Sequence, residues 1–122
     1  MLKKFGLAAV LLVAGAVPSF AADTCTTPVV PAAIDGATVA IDVLRKAIAD
    51  TKAYIAASDA YQQCIVDHVA TVKADADKNK TPVDAALIQA EAAKGEANQA
   101  SKQKAGDDIN TAIGAYKKAH PT

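Results

Sequence analysis

The sequence predicts an all-α fold: an antiparallel two-helix hairpin, with helices over about 38–77 and 82–118, and an extended N-terminal strap disulfide-linked to the first helix. Three observations carry this expectation. Ile41, Leu44, Ile48, Thr51, Ile55, Ser58, Gln62, Ile65, Val69 and Val72 recur at alternating steps of three and four, the seam of a helix that packs along its length. A polar connection, DADKNKTP at 75–82, leads into a second helical start. The two cysteines, Cys25 and Cys64, lie at a spacing that an extended strap can bridge.

The first segment, 1–21, has the layout of a secretory signal peptide. Lys3 and Lys4 precede an apolar run over 7–17, and Ser19 and Ala21 are small residues where a signal peptidase reads, with cleavage after Ala21 or Ala22. The run is shorter than the ~18 to 20 residues that span a bilayer, so no stable membrane insertion is expected after cleavage. Cys25 follows Asp23 and Thr24, beyond the cleavage site, which is not the position of a lipid-modified cysteine. What remains is an extended strap, 22–37, and a helical hairpin domain, 38–122, in a periplasmic or secreted protein. Losing Lys3 and Lys4 takes the 13 basic residues to 11 against 13 acidic ones, a formal charge of −2. There is no clustered basic face of the kind that nucleic acid requires. In an oxidising compartment an even pair of cysteines reads as one disulfide.

The first helix is expected to start at Thr38, whose hydroxyl can cap a free backbone N–H, and a kink at Ser58 and Asp59 is left open. For the second helix, Thr81 is the expected cap, Pro82 suits the first helical position, and Asp84 can close a capping box. Lys117, Lys118 and His120 favour the negative end of its dipole, and Pro121 stops it. Ala86, Ala90, Ala93, Ala97 and Ala100 form a small-residue seam on which the larger side chains of the first helix are expected to pack. Gly95, Gly106 and Gly114 each cost about 0.8 to 1 kcal/mol relative to Ala, so bending or fraying is expected there. A two-helix hairpin buries one stripe per helix and is marginal alone. Support is expected from the disulfide, from the strap as a third layer, or from dimerisation into a four-helix bundle.

The reach of the strap decides where the first helix begins. Cys64 lies 26 residues beyond Thr38, about 39 Å along a helix. Cys25 lies 13 residues before it, about 40 to 43 Å of extended or polyproline-like chain. An intrachain bridge therefore needs the strap to run back along the first helix, nearly fully stretched, with Pro28 and Pro31 favouring that form and Gly36 at the reversal. Tyr54, Ala57, Tyr61 and Cys64 share one stripe that can receive it, with Pro28 near Tyr61 and Pro31 toward Tyr54. An interchain bridge remains the alternative.

Cys25, Pro28 and Pro31, the run Asp35, Gly36, Ala37 and Thr38, then Ala53 and Tyr54, SDAYQQC at 58–64 and the closing AYKKAHP together resemble a group of small, uncharacterised secreted proteins of Gram-negative bacteria. The likeness covers most of the chain beyond the leader. Where such relatives have an acidic residue soon after the capping Thr, this chain has Val39, Ala40 and Ile41 before Asp42. The resemblance implies a helical, disulfide-bearing periplasmic protein and transfers no catalytic residue.

The chemistry visible in the chain is sparse. His68 follows Cys64 by four residues, so a reduced Cys64 would share a helix face with an imidazole, as a thiolate pair or as two ligands of a metal. Asp67 and Asp75 lie near in sequence but on other faces, and Asp75, Asp77, Asp107 and Asp108 read as solvated. No cofactor, metal site or catalytic residue is expected, and the chain is read as a non-enzyme unless Cys64 is a free thiol. The expected role is that of a small exported structural or interaction protein, with a protein partner or a second copy as its target. The alternative is a periplasmic chaperone or envelope-stress adaptor.

Overall fold

The computed structural model describes residues 25–122; the expected leader, 1–21, and the first residues of the expected strap, 22–24, lie outside them. Two helices, α1 (Ile41–Lys78) and α2 (Ala85–Ala119), pack against each other as a hairpin, and there is no strand among the described residues. Cys25 and Cys64 are bonded within the chain, with their Cα atoms 5.6 Å apart. This settles the pairing as intrachain.

Both helices start three residues later than the sequence suggested, for the same reason: the expected caps have other work. The Asp35 carboxylate accepts from the Ala37 N–H at 3.0 Å, and the Asp35 carbonyl accepts from both the N–H and the hydroxyl of Thr38. Thr38 is thus held in a turn, and α1 begins after Ala40 with no side-chain cap. At the other connection Thr81 belongs to the end of α1. Its N–H donates to the Ala76 carbonyl at 2.9 Å while the Lys80 N–H donates to Asp77. Those are the two bonds of a Schellman motif, with Lys80 at φ 52 in the left-handed position. The cap of α2 is Asp84, whose side chain accepts from the Leu87 N–H at 3.1 Å.

Inward-facing residues recur every seven positions on both helices. Leu44, Thr51, Ser58 and Ile65 are buried on α1, and Glu91, Asn98, Ala105 and Ala112 on α2. The alanine seam expected of α2 is not the contact face: Ala86, Ala90, Ala93, Ala97 and Ala100 are all exposed. The larger side chains set the phase of the helix instead. Ile88, Ile109 and Tyr116, each half-buried, fall on one line with the four buried positions at steps of three, four or seven. Ala93 lies about 200° around from Glu91 at 3.6 residues per turn. Each alanine buries far less apolar area than an isoleucine, so the isoleucines decide the rotation. α1 runs uninterrupted through Ser58, and α2 runs uninterrupted through Gly95, Gly106 and Gly114.

Beyond Cys25 the strap seats itself between the helices. Pro31 and Ile34 meet Ala47 and Thr51 of α1 and Ala105 and Ile109 of α2 around one crevice. At its end Gly36 lies against α2 so closely that a Cβ there would stand 1.7 Å from the Ala112 carbonyl oxygen. Gly36 is not at a positive φ. It is required by close approach of two backbones, not by the reversal that the sequence suggested.

Two outcomes follow from these contacts. Gly36→Ala must push the strap off α2 and is expected to cost at least ~1 to 3 kcal/mol, read as a lower denaturation midpoint. Lys80→Gly relieves the left-handed backbone of a residue with a Cβ and is expected to stabilise by roughly 1 kcal/mol in the same measurement.

Candidate functional site

The strap groove is built on α1 residues that share one stripe. Tyr54 and Tyr61 are buried, and Tyr61 packs with Cys25, Cys64 and Ile65 in one apolar cluster. Facing the tyrosines, α2 offers Ala97, Asn98 and Ser101, which border one open crevice together with Thr27 and Pro28 of the strap. Pro28 and Pro31 also stand with Tyr54 along the outer side of the strap. Pro28 and Tyr54 thus border two crevices, one that they share with Pro31 along α1 and one that they share with Tyr61, which α2 walls on its second side.

The strap has the periodicity of a polyproline II helix. Cys25 is buried and Pro28, Pro31 and Ile34 are half-buried, whereas every residue between them is exposed. Burial at every third position is what a helix of three residues per turn produces when one edge is docked. Such a helix makes no internal backbone hydrogen bonds, and none joins 26–34 to the rest of the described residues. The polar tether among the described residues is the Thr27 hydroxyl, which donates to the Tyr61 hydroxyl at 3.4 Å. Side-chain packing, the Thr27–Tyr61 hydrogen bond and one covalent bond thus hold the segment.

Beneath the strap lies a polar layer that sequence reasoning missed. Ser58 has 0% of its surface exposed. Its hydroxyl accepts from the Asn98 amide at 3.2 Å, and the Gln62 amide donates to Asn98 at 2.9 Å and to Gln99 at 3.0 Å. The sequence leaves a kink open at Ser58, since a serine inside a helix can compete for backbone hydrogen bonds. Here its partner is on the other helix, and no buried side-chain nitrogen or oxygen among the described residues lacks one. The signal that could have found Asn98 is its place on the line through Ile88, Ile109 and Tyr116. A polar residue on that line is a register pin of the kind a buried Asn supplies in coiled coils.

One turn beyond the disulfide, His68 does not form a thiolate pair, because Cys64 is bonded to Cys25 and neither cysteine is free. Its Nδ1 instead lies 3.5 Å from the buried Glu91 carboxylate, which also accepts from Lys94 at 2.8 Å. Lys102 pairs with Asp59 across the helices farther along. The His68–Glu91 contact and the Lys102–Asp59 ion pair tie α2 to α1 on both sides of the Asn98 layer. Asp75, Asp77 and Asp107 are exposed, and Asp108 pairs with Lys104. None of the described helices is long and apolar enough to cross a membrane. Compared with protein-family models, with curated proteins and with solved structures, the chain matches none.

The disulfide closes a loop with a sequence separation of 39, which in the chain-entropy account is worth about 4 kcal/mol. Reduction of the purified protein is expected to weaken the helical circular dichroism signal markedly and to lower the denaturation midpoint by a corresponding amount. An unchanged melt in reductant would show that the strap does not stabilise the hairpin.

Proposed function

We propose that this is an exported interaction protein of the periplasm or extracellular space, which acts by presenting a rigid, strapped helical surface and not by catalysis. The observation that carries the reading is the Cys25–Cys64 bond. Structural disulfides persist in oxidising compartments, and the leader layout of 1–21 supplies a route to one. The same bond consumes the sole thiols of the chain, and His68 and Glu91 are engaged with each other. The residues that chemistry would draw on are thereby spent on holding the fold.

A second reading, a chaperone or envelope-stress adaptor, draws on an apolar groove of about 390 Å³ near the turn end of the hairpin, lined by Ile65, Val66, Val69 and Ile88. Val66 there is 60% exposed. Suppression of aggregation of several unrelated clients at low molar ratio would favour that reading over a scaffold.

Export is tested by expressing the full chain in a Gram-negative host and fractionating it. The expected product is a periplasmic or secreted chain beginning at Ala22 or Asp23, whose mobility on non-reducing gels corresponds to an intrachain bond. A full-length, cytoplasmic, reduced chain would overturn the reading.

A further inference from the structure

The strap is a ligand as well as a segment of the fold. Over 26–34 it docks through side chains, at every third residue, on a groove floored by two tyrosines. Recognition of proline-rich chains by aromatic-lined grooves works in this way, since a preformed polyproline II segment loses little entropy on binding and presents its prolines along one edge. The groove's two walls are joined to each other independently of the strap, through Ser58, Gln62 and Asn98 and through the pair of Lys102 with Asp59. The receptor surface therefore does not consist of the strap's own contacts.

We propose that the groove between α1 and α2 is a receptor for a proline-bearing extended segment of a partner chain, filled in cis by the strap while the Cys25–Cys64 bond is closed. The proposal deepens the interaction reading above and rests on it for the existence of a partner. Opening requires a dithiol. One of its thiolates attacks one sulfur of the bond and forms a mixed disulfide, and its second thiolate displaces the protein sulfur. The protein gains two thiols, and the reductant leaves as a disulfide. The freed strap stays tethered through 35–40, so it competes for its seat at an effective concentration on the order of millimolar. A partner must outbid that tether, or bring a cysteine thiolate that attacks the Cys64 sulfur of the closed bond, forming one disulfide as the Cys25 thiolate leaves, with no net oxidation.

Disulfide capture on the full mature chain tests this. The variant Cys25→Ser/Pro28→Gly/Pro31→Gly keeps Cys64 and weakens the strap in cis. It is offered a synthetic peptide of the 25–36 sequence whose cysteine is held as a mixed disulfide with an aromatic thiol. The Cys64 thiolate attacks the peptide sulfur, a new bond forms, and the aromatic thiolate leaves, with no net oxidation. Capture, read by mass, is expected to be at least ten-fold faster than for the same peptide carrying Pro28→Gly and Pro31→Gly, or for an alanine-rich helical peptide with the same cysteine. The preference is expected to fall when Tyr61→Ala is added to the protein. Should the variant lack helix, capture of the proline peptide is expected to restore the circular dichroism signal. Equal capture rates for the three peptides, or capture without recovery of helix in an unfolded variant, would overturn the proposal. Either result leaves the export reading, which stands on a separate experiment, untouched.

Discussion

The structure depends on a length constraint. A disulfide at Cys25–Cys64 can close within the chain only if an extended segment and a helical segment cover the same distance in opposite directions. Extended chain advances at about twice the rise per residue of a helix, so the strap has to be short and the helix has to wait. The Asp35 turn enforces that wait by holding Thr38 outside the helix. With the bond in place the strap adds a third layer to two helices that alone would bury a single stripe each. Residues 22–122 have few large apolar side chains and three tyrosines as their only aromatics. Two of those three are placed under the strap.

The hairpin interface combines weak apolar burial with strong positional pinning. Ala105 and Ala112 let the backbones come close, and the approach of Gly36 to the Ala112 carbonyl shows how completely that closeness is used. Specificity comes from polar residues that can be satisfied in one register. Sliding α2 by a turn would separate Asn98 from Ser58 and Gln62, leaving buried amide and hydroxyl groups unpaired at ~1 to 3 kcal/mol each. Glu91 with His68, and Lys102 with Asp59, impose the same register from either side. Apolar residues alone would tolerate several alignments of two such regular helices.

Much of this was legible in the sequence, and the parts that were not share a physical cause. The helices, their antiparallel arrangement, and the link between strap and first helix follow from periodicity, turn chemistry and reach. The rotation of α2 did not, because counting alanines at steps of three and four treats position as if it were area. Ile88, Ile109 and Tyr116 carry more burial than five alanines, and they turn Glu91 and Asn98 inward. The caps were misplaced because Thr38 is held in the Asp35 turn and Thr81 closes α1, and a local motif cannot say whether a threonine opens a helix, ends one or belongs to a turn. The role of Gly36 needed the third dimension outright, since nothing near it in sequence announces Ala112.

The seating of the strap against both helices also orders events in time. Its groove has one wall from α1 and one from α2, so no native seat exists until the hairpin has closed. Helix formation and hairpin docking are processes of microseconds to milliseconds, whereas disulfide formation takes seconds to hours. Oxidation therefore draws on the fraction of reduced chains whose helices have docked, and it acts as a latch that makes a marginal alignment permanent.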